Sequence, residues 1–554
     1  MKKRIVSWML TAVLAFSLAA CGNSDSGGKD AGQGSGNAVQ QESSGEENQD
    51  EDVNPDGAGN QGEAPSADGE IQTGGVFKIG FQAPIVNLGW PGLPASSNEL
   101  IVLQPAVESL ARYNTAGELI PWLCESFETD ADALTLTVKL PQGVKFHDGT
   151  DFNAEAVKWN WETFQAAGRS EIAVIESIEC PDDTTVVAHM SAWDNTVADN
   201  ALYHAGFMFS PAYCQEAGQD AANANPVGTG PYKFVEWQKD VKVVYEKFED
   251  YRIEGQPYMD GIEFELIIDS NTIATAYQAG EIDSLPVVDP NIKQIMDATG
   301  EPSKAADSVS GGSSIAMVAY GCTDEDSPTS KLEVRQAFAY AVNWEEMCQA
   351  LGGMYYTNQW AIPGVWSYSE EVKGYPHDVE KAKELLAKAG YQDGVEITAH
   401  CLESENTKAT MMQQYAAEAG ITLKIDNWDQ ARSDEASGIN GNWDGIIISA
   451  GRADTETASI YGRSFTDEGV RYVGGFLHPK DLVEAIANAR AARTEEERAS
   501  YTKQASKMII DDYCMMSPIG ITSATLYQKD YVHDSGISQI HTILWTPEAC
   551  WLSK

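Results

Sequence analysis

The residues best suited to chemistry lie in one stretch, Asn442-Trp443-Asp444-Gly445-Ile446-Ile447-Ile448-Ser449-Ala450-Gly451-Arg452-Ala453-Asp454. Gly445 to Ser449 is a short apolar run fit for a buried strand, and it delivers Gly451, Arg452, Ala453 and Asp454 to its end. Open α/β sheets hold their ligands at such strand ends. A carboxylate there can meet a cationic amine, and a guanidinium can grip a carboxylate through two parallel hydrogen bonds. That is recognition chemistry. Each group also has an ordinary alternative: Asp454 can cap a helix or stay solvated, and Arg452 can pair with an acid of the chain itself. Trp90, in Asn87-Leu88-Gly89-Trp90-Pro91, and Trp360, before Ala361-Ile362-Pro363, stand on loop segments where a ring can serve as a ligand platform or simply pack.

Spacings that would support catalysis are missing. The eight His and nine Cys are scattered, with no H-E-x-x-H, no C-x-x-C, no G-x-S-x-G and no Cys–His spacing fit for a nucleophile and its base. No cofactor and no metal are called for. The eight Cys beyond Cys21 read mostly as small buried hydrophobes, with one or two bridges as the alternative in an extracytoplasmic protein. With 37 Lys+Arg against 83 Asp+Glu and a net charge of −46, nucleic acid is a poor partner, because phosphates attract basic surfaces. The acidity leans weakly toward cationic or amine-bearing ligands.

The elements that must position these groups alternate between strand and helix, the pattern of an α/β protein. Leu134, Leu136, Val138 and Leu140 alternate with polar residues as a half-buried strand, and Pro141-Gln142-Gly143 turns the chain. Asn153 is placed to cap a helix running through Glu162. Ile262, Phe264 and Leu266 form another alternating strand. Val334 to Val342 and Val379 to Ala389 carry apolar residues at helical spacing, and Thr494 with Glu497 makes a capping box for a helix running towards Ile510.

At the other end of the chain, Lys2, Lys3 and Arg4 precede an apolar run from Ile5 to Ala20, which reads as a secretory signal too short for a comfortable span of about 20 residues. Its ending, Leu18-Ala19-Ala20-Cys21, resembles the lipobox of bacterial lipoproteins, which implies a lipid on Cys21 as the membrane anchor. From Gly22 to Gly75 the chain is Gly, Ser, Asn, Gln and acid, with twelve carboxylates and the single base Lys29. Such a segment cannot bury enough apolar surface to offset its entropy, and is expected to be a disordered tether with a reach of roughly 40 Å.

Between these ends, blocks recur that resemble the family 5 extracellular solute-binding proteins, the peptide and nickel receptors of ABC importers. They are Glu118-Leu119-Ile120-Pro121 with Leu134 to Gly149, Val227 to Phe234, Asp250-Tyr251 with Ile262-Glu263-Phe264, Gln278 to Asp283, Val334 to Val342, and Ala382 to Tyr391. The resemblance covers essentially all of 76–554.

It implies an α/β fold of two lobes with a subdomain inserted in the first: lobe I at 76–111, 226–310 and 521–554, the insertion at 112–225, and lobe II at 311–520. Residues 1–21 are then the lipoprotein signal and 22–75 the tether. In peptide-binding members the segment matching 450–454 often reads Gly-Trp-x-Ala-Asp, its backbone pairing with an extended peptide and its Asp binding the free amine. Asp454 keeps that Asp, while Gly451 replaces the Trp and Thr455-Glu456-Thr457-Ala458 replaces Tyr-Pro-Asp-Pro. Tyr320-Gly321 stands where the family usually has Phe-Asn, and Trp360 lies in a segment resembling the family's lip. The resemblance thus implies a monomeric, lipid-anchored, extracytoplasmic receptor, not an enzyme, that delivers a short peptide to ABC permease subunits. A nickel chelate, haem, glutathione or oligosaccharide is the alternative ligand, and a hydrolase using the same cleft the alternative class.

Overall fold

The computed structural model describes residues 70–554 apart from 83–84, 94–96, 115–117, 287–289, 303, 306–311, 353, 364, 439–440, 453–456, 524 and 538–544. Cys21 and the tether up to residue 69 therefore lie outside the described residues, as do Ala453 and Asp454. All described residues belong to one packed unit, Ala64–Lys554.

Local signals build the elements. The Asn153 side chain accepts from the Ala156 N–H and opens the helix Ala154–Ala166, which runs past Glu162 because Val157, Trp161 and Phe164 continue one buried face. The Thr494 hydroxyl accepts from the Glu497 N–H at 3.2 Å and opens Glu495–Lys507. The strand expected from Leu134 begins one residue later, as Thr135–Lys139. Leu134 has φ 55°, a left-handed value that leads out of a turn in which Asp130 Oδ1 accepts from the Asp132 and Ala133 N–H groups.

Three larger sheets follow. The first runs, in order across the sheet, Lys304–Ala305, Thr525–Gln528, Ser284–Leu285, Val76–Phe81, Gly261–Leu266, Lys242–Lys247 and Tyr232–Gln238. Val76–Phe81 pairs in parallel with Gly261–Leu266, and the alternate residues Phe77, Ile79, Ile262 and Phe264 are buried in its core. The second sheet runs Met354–Tyr355, Met516–Ser523, Gly312–Tyr320, Ile446–Arg452, Val395–Leu402 and Ile421–Trp428. Val395–Leu402 and Ile421–Trp428 are parallel neighbours joined through the helix Asn406–Glu418, a strand–helix–strand crossover. The third sheet is antiparallel, Ser126–Asp130, Thr135–Lys139, Thr185–Met190 and Ile175–Asp182, and shares its own core with Val157, Trp161 and Phe164.

The chain passes between the first two sheets twice. Ala305 pairs with Thr525 in the first sheet, and Gly312 pairs with Ser523 in the second. Both passages are thus flanked by paired residues in each sheet. Seven of the eight described cysteines are buried and Cys180 is half-buried, all as free thiols. Burial pushes the Cys124 thiol up to about 11, the behaviour of a packing residue rather than a nucleophile.

Candidate ligand-binding site

The apolar run around Ile446 is the buried strand Ile446–Arg452, with Ile446, Ile447 and Ile448 in the core of the second sheet. Along one edge all seven residues pair with Gly312–Tyr320, from Tyr320↔Ile446 to Ser314↔Arg452. Along the other, only Ile446 and Ile447 pair, with Ala399 and His400. Among the described residues, Ile448 to Arg452 therefore have a sheet partner on one side alone. This open edge points the same way as the carboxyl ends of Val395–Leu402 and Ile421–Trp428, where open α/β sheets hold ligands. Its last residue, Arg452, sits opposite Ser314, beside the place where the chain passes between the sheets.

Two of the sequence candidates meet here. A Cβ on Gly451 would stand 2.5 Å from Cζ2 and 3.0 Å from Cη2 of Trp360, so the indole occupies the space a side chain at 451 would need. Trp360 is only 4% exposed, and its carbonyl accepts from the Tyr461 hydroxyl at 3.4 Å. Its loop is fixed locally, with Thr357 Oγ1 donating to the Gln359 and Ala361 carbonyls and the Gln359 amide donating to the Ser369 carbonyl. The Ser314 hydroxyl donates to the Gly451 carbonyl at 3.2 Å. Arg452 is placed by its backbone in the strand, while Ala453 and Asp454 lie just beyond the described residues of this segment.

The other candidates stand apart. Tyr320 is fully buried at the opposite end of the strand, five residues from Gly451 in register, which is roughly 16 Å at about 3.3 Å per residue. Its hydroxyl bonds Ser517 Oγ at 2.8 Å and its ring meets Phe338 edge-on, so it packs the core rather than walling a ligand cleft. The neighbouring Gly321 has a steric reason: a Cβ there would lie 2.2 Å from the Trp443 carbonyl oxygen. Trp90 meets Trp159 edge-on at 5.9 Å in the core of the first sheet, and its loop is held by the Leu88 and Gly89 N–H groups donating to Asn223 Oδ1. No described contact joins Trp90 to Trp360 or Gly451. A separate cavity of about 670 Å³ opens near the start of the strand, lined by Asp324, Trp428, Arg432, Glu435, Trp443 and Asp444, and it contains none of the candidates.

Sequence reasoning missed a polar bridge between segments far apart in the chain. Arg463, on the helix Thr457–Ser464 that follows residues 453–456, lies 3.7 Å from Glu171 Oε1. Arg169 also donates to Glu171, and its Nη1 reaches the Gly92 carbonyl beside Trp90. Burial alone would raise the Glu171 carboxyl, but the hydrogen bonds from Arg169 and the charges of Arg169 and Arg463 outweigh it and hold it at about 2. Nothing in the local sequence distinguishes these residues from solvated surface charges.

Among the described residues no group of three or more His, Cys, Asp or Glu is arranged to hold a metal ion. Among curated relatives, the glutathione-binding protein GsiB of Pectobacterium atrosepticum is 27% identical over 412 residues, 71% of this chain and 79% of its own length. Among solved structures, the ABC transporter-associated periplasmic binding protein DppA of Helicobacter pylori, in complex with the peptide STSA, shares the fold with a TM-score of 0.74 at 21% identity, over 87% of this chain and 99% of that one. AgaA of A. tumefaciens R10, in complex with agropinic acid, has a TM-score of 0.73 at 25% identity over 87% and 99%. The fold is thus the two-lobed α/β architecture of the periplasmic binding proteins. Residues 118–471 match the family described as bacterial extracellular solute-binding proteins, family 5, middle region, a stretch too long to reflect one shared motif. The chain belongs to that family, the substrate-binding receptors of ABC importers.

Proposed function

We propose that this receptor captures a short peptide, or a peptide-like solute with a free amine, against the open edge from Ile448 to Arg452, and delivers it to a membrane permease. The carrying observation is that edge, which keeps main-chain N–H and C=O groups without a sheet partner among the described residues. An extended ligand can add itself there as a strand, main chain to main chain. Asp454, two residues beyond the strand, is then the anion that meets the ligand's amine. The similarity to a glutathione-binding protein supports a small solute of this kind.

The same reading assigns lobe I to 76–111, 226–310 and the C-terminal segment, the insertion to 112–225, and lobe II to the residues from 311. The return passage is set after Ser523 rather than after 520, because Ile521, Thr522 and Ser523 pair within the second sheet. The receptor acts as a monomer outside the cytoplasm, held to a lipid on Cys21 by a tether that ends before the expected residue 75, because the Gly74 N–H donates to the Tyr258 carbonyl and the Gly75 N–H to Asp260 Oδ2, and it makes no covalent change to its ligand. Among the described residues no helix is long and apolar enough to cross a membrane.

Native mass spectrometry of the purified protein tests the ligand class. A closed cleft retains its solute, and the expected added mass is that of a short peptide. A retained sugar conjugate, haem or nickel chelate would replace the peptide reading with one of those classes, and turnover of an added peptide would favour a hydrolase.

A further inference from the structure

Where the third sheet's subdomain meets the second lobe, a loop of one completes a helix of the other. The helix Lys480–Ala491 ends at Ala492, and the last carbonyls of an α-helix have no partners within it. Here they are met by Trp193-Asp194-Asn195, far away in sequence. The Asn195 side-chain amide donates to the Ala489 carbonyl at 2.8 Å and to the Ala492 carbonyl at 3.1 Å. Its backbone N–H donates to the Arg490 carbonyl at 2.8 Å, and the Trp193 indole N–H to the Ala492 carbonyl at 3.1 Å. Arg490 answers with its fork, Nε at 3.0 Å and Nη2 closer, both on Asp194 Oδ2. Asp194 is 4% exposed, and its other oxygen accepts from the Thr196 N–H and hydroxyl, so the carboxylate is buried with every described bond made.

Two more bridges cross the same boundary without touching this triplet. Arg493 donates to the Ala131 carbonyl at 3.2 Å and pairs with Asp132, and Arg463 reaches Glu171. These contacts are hydrogen bonds and ion pairs, which water can replace when the two sides part.

We propose that Trp193-Asp194-Asn195 is a latch: it caps the helix Lys480–Ala491 from across the boundary and holds the inserted subdomain closed on the second lobe, so that the cleft opens only when the triplet lets go. Such bonds demand distance and direction together, so a shift of an ångström or two at the helix end breaks the set as a unit. Only the latch's effect on ligand rests on the receptor reading; the capping stands without it.

Hydrogen–deuterium exchange of the full chain carrying both Asp194→Ala and Asn195→Ala tests the latch. The expected result is an exchange rise of about tenfold in residues 193–196 and also in 130–133 and 169–172, which face the second lobe elsewhere. The strands Val76–Phe81 and Val395–Leu402 are expected to keep wild-type exchange. A rise confined to 193–196, or none, would make the triplet a static local cap and overturn the proposal. If those two strands lose protection the variant has unfolded, and Arg490→Lys, which keeps the charge but loses the fork, carries the test by the same criterion. With reduced glutathione as the probe, the latch variant is expected to release it about tenfold faster, and equal release rates would contradict the latch. Failure of glutathione to bind even the wild type would count against that ligand, while the exchange pattern still decides the latch.

Discussion

The indole of Trp360 and the Cα of Gly451 are in direct contact across 91 residues of sequence: a Cβ on Gly451 would meet Cζ2 of Trp360 at 2.5 Å. The loop around Trp360 and the end of the candidate ligand strand are therefore one packed unit. Gly451→Ala is expected to cost about 1–3 kcal/mol, the usual result of adding a methyl group to a filled space, read as a lower denaturation midpoint in urea. Because the two residues share one volume, Gly451→Ala combined with Trp360→Leu is expected to lose less than the sum of the single changes. Strict additivity would mean that the contact is not what fixes the loop.

The Glu171 carboxylate, held chiefly by Arg169 and more weakly by Arg463 from the second lobe, gives folding stability a pH dependence. Its folded value is near 2 against the usual 4.5, so in this window the unfolded state binds more protons and stability rises with pH. The contribution is fully present above the usual value and is lost as the pH falls through about 2. It is on the order of 3 kcal/mol at neutral pH, one unit being about 1.4 kcal/mol. Glu171→Gln is expected to be destabilised at pH 7 and to approach the wild type between pH 4.5 and 2. Parallel stability–pH curves for the two proteins would show that the Arg169 and Arg463 contacts do not set the shift.

Much of the fold was legible because its signals are local. Asn153 and Thr494 cap their helices with their own side chains, and Ile262 with Phe264 alternates into a core, so a few neighbouring residues determine each outcome. The apolar run Gly445 to Ser449 announced a buried strand for the same reason, but the strand forms as Ile446–Arg452: Gly445 turns at φ 68°, and pairing with Gly312–Tyr320 carries it on through Arg452. The site was legible only in part. Position in a motif suggested Tyr320 as a ligand wall, yet its hydroxyl finds Ser517 across the sheet and the side chain stays in the core. Trp360 and Gly451 were singled out separately, and no periodicity could say that one fills the other's space. Asp194 and Arg490 are 296 residues apart, and each alone looks like any solvated charge.

At the other end of the chain, Cys21→Ser is expected to move the protein from the membrane fraction to the soluble extracytoplasmic fraction, because a lipid on that thiol is the only anchor this account assigns. Fractionation followed by immunoblotting reads the outcome. Retention of the variant with membranes would place the anchor elsewhere.

The claim that a ligand amine is held at the end of the strand Ile446–Arg452 is tested most directly by titration calorimetry of a tripeptide and its N-acetylated form against wild type and Asp454→Asn. The α-amine is cationic at neutral pH, since such groups titrate near 8. A desolvated hydrogen bond between it and a carboxylate is worth about 1.5–3 kcal/mol. Asp454→Asn should thus weaken the free peptide roughly tenfold to a hundredfold. Acetylation should weaken wild-type binding by a similar factor but hardly change binding to the variant, because both changes delete the same contact. Additive losses, or unchanged affinity in Asp454→Asn, would contradict the account.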